Sequence, residues 1–195
     1  MGRPMLRILA TLTALLIASP AFAADVGGTG GFASGFLHPI LGFDHLLAMI
    51  AVGLLSVQIG GRAIWTVPLA FVLFLGLGGA LGLVGIPLPQ VEGAISISVL
   101  ALGLAIAFQA RLPIWLAMVF VGFFAIFHGH AHGEEIPTLA DPWTYVAGFM
   151  LASALLHLTG VGLGLLGGRP QLRAHFGSGC AGIGAHLLLL TYGIV

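Results

Sequence analysis

Six stretches of mostly apolar residues occupy most of this chain, and they decide its solvent before any motif is considered. A membrane helix needs about 20 predominantly apolar residues. The stretches are Ile40–Ile59, Ile64–Gly85, Val91–Phe108, Pro113–Phe127, Trp143–Leu166 and Gly177–Ile194. The fourth is short unless it continues through the histidines that follow it. Between them lie Gly60-Gly61-Arg62, Pro87-Leu88-Pro89, Gln109-Ala110-Arg111, residues 133–142 and residues 167–176. Only 6% of the 195 residues are charged, and mean hydropathy is +1.15. An ordinary soluble domain carries about 25% charged residues. So few charges cannot cover a water-facing globule of this size, which excludes a soluble enzyme. A disordered chain is excluded by the same composition. The expected fold class is all-α: a polytopic membrane protein with six transmembrane helices in a compact bundle.

Ahead of these stretches, Arg3 and Arg7 form a positive segment and Leu6 to Ala18 an apolar one. Pro20 and then Ala21-Phe22-Ala23 follow, in the A-x-A pattern. This reads as a secretory signal peptide over residues 1–23, cut after Ala23. An uncleaved first helix is the alternative. Residues 24–195 then form a single six-helix transmembrane domain.

The charges test this division. With the mature N-terminus outside, Arg62, Arg111, Arg169 and Arg173 all fall in inner loops. Asp25, Asp44, Glu92, Glu134, Glu135 and Asp141 fall in or near outer segments. Lys/Arg bias sets orientation, and here every arginine agrees. The expected location is a bacterial inner membrane, crossed several times, with both mature termini periplasmic. With six arginines and no lysine against six acids, there is no basic surface for nucleic acid. The lone Cys180 excludes an intrachain disulfide framework and a Cys-cluster metal site. Gly78 and Gly82, Gly160 and Gly164, and Ser178 and Gly182 are small-xxx-small pairs, expected where helix backbones approach closely in lipid.

Eight histidines stand in a chain nearly without other ionisable groups. A charge at mid-membrane costs about 2.5–3.5 kcal/mol on insertion scales, so polar residues within spans are functional candidates. The first group is His38-Pro39-Ile40-Leu41-Gly42-Phe43-Asp44-His45. Pro39 suits a first helical turn, which would place Asp44 roughly 9 Å below the helix start. The second is Phe127-His128-Gly129-His130-Ala131-His132-Gly133-Glu134-Glu135. If helical, His128, His132 and Glu135 form one stripe, with His130 and Glu134 pointing away. If Gly129 and Gly133 break the helix, His128, His130 and His132 share one side instead. The third is Glu92, where a favourable position at a helix N-terminus is a rival explanation. The topology sends all three groups to the outer face. They offer several N/O ligands and no thiolate, a set that suits a divalent first-row metal. The candidate metal residues are His38, Asp44, His45, Glu92, His128, His132 and Glu135. His157 and His186 lie near the middles of spans five and six, as a deeper station or as a packed pair. His175 reads as surface, and Met150 and Cys180 as packing.

At these residues the sequence resembles the HupE/UreJ family. The H-P-x-x-G-x-D-H pattern stands at His38 to His45, followed by Ala48-Met49-Ile50-Ala51-Val52-Gly53. The F-H-G-x-A-H-G-x-E pattern stands at Phe127 to Glu135. The resemblance implies a membrane protein for nickel uptake associated with hydrogenase or urease maturation, with some relatives linked to cobalt. By position it carries over His38, Asp44, His45, His128, His132 and Glu135.

The leading expectation is a permease and not an enzyme, with no catalytic residue and no required cofactor. Its partners are the lipid bilayer, a divalent ion and metalloenzyme maturation machinery. Neutral imidazole is needed for ligation, so uptake is expected to weaken below roughly pH 6. A metal-dependent intramembrane hydrolase is the first alternative, weakened by the lack of H-E-x-x-H and of a separate general base. A sensor or assembly partner without flux is the second.

Overall fold

Gly42 divides the first apolar stretch in two. In the computed structural model, which describes residues 31–136, 141–167 and 170–195, α1 (Gly31–Leu41) ends there and α2 (Phe43–Ile59) begins, bent by 77°. The single span expected from Ile40 is therefore corrected. Pro39 lies near the end of α1 and not in a first turn. Asp44 is in the first turn of α2 and not a turn and a half below a helix start.

The remaining helices are α3 (Ala63–Leu83), α4 (Val91–Ala107), α5 (Ile114–Glu134), α6 (Pro142–Leu166) and α7 (Pro170–Thr191). Among the described residues the chain is all-helical, with seven helices and no strand. Four expected segments match within two residues at their starts, but the fourth runs on through the histidines to Glu134. The last begins at Pro170 and not at Gly177, so Arg173 and His175 are helical. Residues 1–30, including the expected signal peptide and Asp25, lie outside the described residues, as do Arg169 and part of the 133–142 loop.

Three helices, α3, α5 and α6, are long and apolar enough to cross a membrane, and the bent α1–α2 pair makes up to four. Trp65, Leu69 and Leu73 on α3 and Trp115, Val119 and Phe123 on α5 are exposed, as apolar surface facing lipid would be. α2 sits centrally and touches each of the other six helices.

Glycine sets the closest approaches. A Cβ at Gly78 or Gly82 of α3 would meet the backbone oxygens of Ile126 or His130, and one at Gly129 or Gly133 of α5 those of Leu75 or Gly79. Gly160 likewise meets α2, through Ile50. The Ser178/Gly182 pair does not behave as expected. A Cβ on Gly182 would meet nothing, and Gly177 and Gly184 make the contact of α7 with α4.

One end of the assembly gathers the starts of α2, α4 and α6 with the ends of α3, α5 and α7. Ser96 of α4 is 3.3 Å from Thr191 of α7, and the Ile86 carbonyl after α3 accepts from His130 of α5 at 2.7 Å. At the opposite end the Gln58 amide donates to the Ala105 and Ala110 carbonyls at 3.0 and 3.1 Å.

Candidate metal centre

Four imidazoles meet where the bend of α1–α2 faces the end of α5. His45 lies 4.7 Å from His128, 4.4 Å from His132 and 6.4 Å from His38, between ring centroids. His38 and His132 are 4.6 Å apart. The local folding explains this. The 77° turn at Gly42 brings His38, at the end of α1, over His45, in the first turns of α2. The α5 helix survives its two glycines because they sit under α3 and need no side chain. His128 and His132 therefore share a face, four residues apart.

Each ring is held differently. The Asp44 carboxylate accepts from both the backbone N–H of His45, at 2.7 Å, and its Nδ1–H, at 2.8 Å. The Nε2 lone pair of His45 is then free, and that atom is buried without a partner. Ser98 of α4 donates its only hydroxyl proton to the Ile95 carbonyl at 2.6 Å and so accepts from His128 Nε2–H at 2.8 Å. The Nδ1 lone pair of His128 is left unpartnered and buried. Among the described residues neither nitrogen of His132 has a partner, and its ring stacks on Phe149 at 4.8 Å. His38 is committed on both sides, to the Tyr145 hydroxyl through Nδ1 at 2.8 Å and to Glu135 through Nε2 at 3.0 Å.

His132 thus belongs to two sets. Inward, His45, His128 and His132 offer three buried nitrogens. Outward, the ligand atoms of His38, His132 and Glu135 lie within 4.8 Å of one another. Buried polar atoms without partners cost about 1–3 kcal/mol each, so the imidazole cluster is stabilised by whatever cation those lone pairs accept. The donors are nitrogen and carboxylate oxygen, the set that favours a first-row divalent ion.

Of the residues expected from sequence, His38, Asp44, His45, His128, His132 and Glu135 come together here. Glu92 does not join the rings. It lies exposed in the first turn of α4 and lines a cavity of about 340 Å³ with Glu134, Glu135 and Thr191. His130 points away, as the helical reading requires, to the Ile86 carbonyl and, at 3.4 Å, to Glu134. His186 is exposed and His157 buried, so they are not a packed pair. His175 is exposed and Cys180 buried.

Sequence reasoning passed over Ser98, Tyr145 and Phe149. Ser98 is separated from His128 by 30 residues and Tyr145 from His38 by 107, and no local pattern marks either.

The whole chain has clear relatives. A model of the family described as HupE / UreJ protein matches residues 12–188. Protein HupE of Rhizobium leguminosarum bv. viciae is 43% identical over 186 residues, which cover 94% of this chain and 97% of that one. No solved structure matches. Both sequence motifs lie within the matched residues, and the chain belongs to the HupE/UreJ family.

Proposed function

We propose that this chain is an inner-membrane permease for a divalent transition metal, Ni²⁺ above all, supplying hydrogenase or urease maturation from the periplasm. The observation that carries the reading is the set of three buried imidazoles, His45, His128 and His132, whose free nitrogens face no protein partner. Ionisable groups among membrane helices mark ion pathways by default. Family membership supports nickel as the ion.

In this reading α1–α2 and α3 to α7 cross the membrane six times, and the metal cluster faces the periplasm. The 17-residue α4 is short, and α7 is less apolar than its neighbours. They pack on each other through Gly103, Gly177 and Gly184, and the start of α4 and end of α7 line one cavity with the end of the longer α5. Arg62 and Arg173 lie at the end remote from the imidazole cluster, as the positive-inside rule asks.

A hydrated ion is captured by Glu92 and Glu135 at the outer cavity. It exchanges water for His38 and Glu135, then passes to the deeper nitrogens through His132, common to both sets. Exchange between partial sites keeps binding weak enough for release. A divalent cation moving inward gains about 4.6 kcal/mol per 100 mV of membrane potential, twice the single-charge value.

The test is ⁶³Ni²⁺ uptake into proteoliposomes, with Co²⁺ and Zn²⁺ as competitors, for wild type, Asp44→Asn and His132→Ala. Uptake in the wild type, abolished in both variants at equal protein level, is the expected result. Metal binding without uptake would replace the permease by a sensor or assembly partner.

A further inference from the structure

The face of α6 that serves the outer cluster continues inward. Tyr145 meets His38 and Phe149 stacks on His132. At the next two i+4 positions stand Ser153 and His157, with relative exposures of 0% and 1%. Among the described residues, neither the Ser153 hydroxyl nor either nitrogen of His157 has a partner. Buried polar groups in folded proteins are nearly always paired, and a histidine kept only for packing finds at least one hydrogen bond. His157 lies eight residues beyond Phe149, roughly 12 Å further along the helix axis.

Two features connect it to the cluster and to the far side. The Phe71 ring of α3 lies 5.8 Å from His128 and 5.0 Å from His157, between centroids, so a single ring touches both. On α2, beyond the contact of Gly53 with the His157 backbone, the buried Oε1 of Gln58 is also unpartnered. From the cluster to the opposite end, the uncommitted polar atoms thus run through His132, Ser153 with His157, and Gln58.

We infer that His157, assisted by Ser153, is an inner relay site that accepts the divalent first-row cation leaving the outer imidazoles. The inference rests on the uptake reading above. One imidazole and one hydroxyl supply too few donors for permanent binding, and water completes the shell. That suits a station that must also release its ion. Phe71 packs against both stations.

The experiment compares Ni²⁺ uptake in proteoliposomes with equilibrium Ni²⁺ binding to the full chain in detergent. For His157→Gln, the initial uptake rate falls at least about tenfold while binding at the outer cluster stays within about threefold. His157→Cys recovers part of the rate and moves the competition toward Zn²⁺ and Cd²⁺, because a thiolate is a softer ligand. A packing role would not produce that change of preference. Wild-type uptake in His157→Gln, with Asp44→Asn inactive, overturns the relay and leaves the uptake reading standing. No uptake by the wild type removes both. A measurement on the unaltered chain guards against misfolded variants: with ¹⁵N-labelled histidine rings, excess diamagnetic Zn²⁺ shifts the ring-nitrogen NMR resonances of His157. Unshifted His157 resonances overturn the inference.

Discussion

Ser98 fixes the tautomer of His128. Its hydroxyl proton is spent on the Ile95 carbonyl at 2.6 Å, so at 2.8 Å from His128 Nε2 it can only accept. The proton therefore stays on Nε2, and Nδ1 faces the cluster as a lone pair. Such outer partners typically contribute 10–100-fold in metal affinity or activity, roughly. Ser98→Ala is expected to lower Ni²⁺ affinity within about that range while the protein remains folded. Ser96→Ala, beside Thr191 and away from the rings, serves as the control. Isothermal titration of both variants decides it, and equal affinities would dismiss the tautomer argument.

Asp44 acts through His45. The carboxylate holds the ring by Nδ1 at 2.8 Å and has no other described polar partner than His45. Asp44→Asn and His45→Ala should each reduce Ni²⁺ affinity by about 10–100-fold. Together they should lose little more than the worse of the two, because residues acting as one unit are not additive. Fully multiplicative losses in a double-mutant cycle would show that Asp44 works independently.

The glycines of α5 are packing residues with a predictable sign. Gly129→Ala and Gly133→Ala drive a methyl group into the α3 backbone, whereas Gly162 and Gly182 have open space. The first pair should be destabilised by about 1–3 kcal/mol, as overpacking usually is. Gly162→Ala and Gly182→Ala should be neutral or slightly stabilising, since alanine is the better helix former by up to about 1 kcal/mol. Thermal unfolding in detergent measures both pairs, and uniform loss across all four would contradict the packing.

The six-span topology has its own test. In a Cys180→Ala background, Pro87→Cys, Asp141→Cys and Ile194→Cys should react with a membrane-impermeant maleimide added to intact spheroplasts. Arg62→Cys and Gln171→Cys should react only after lysis. Labelling of Ile194→Cys only after lysis would put the C-terminus inside and reduce the number of crossings.

Much of the fold was legible because lipid imposes a simple rule. Every backbone polar group must be satisfied within the segment, so apolar runs become helices, and their limits near Val91 and Leu166 follow from Gly, Pro and charge. The misreadings occurred where tertiary contact overrode local signals. At Gly129 and Gly133 the sequence left a break open beside the helical reading, and α3 lying against them goes with a helix that continues. Pro39 read as a start, yet α1 packs on α6 through Gly35 and Gly148 and carries the helix through it.

By itself, the sequence determined the apolar character of the chain, its helical class and the chemistry of the candidate ligands. These depend on residue types and on their spacing along one helix. Six of the seven candidate ligands it named come together at the bend, because each of the six lies in one of two short motifs. Only the tertiary structure decided that His132 is common to two sets, that Ser98 and Tyr145 orient their histidines, and that Glu92 stands at the cavity rather than among the rings. Those relationships join helices whose contacting residues are 30 to 107 positions apart. They arise from how closely glycine lets the backbones approach, and no periodicity within a single helix records that distance.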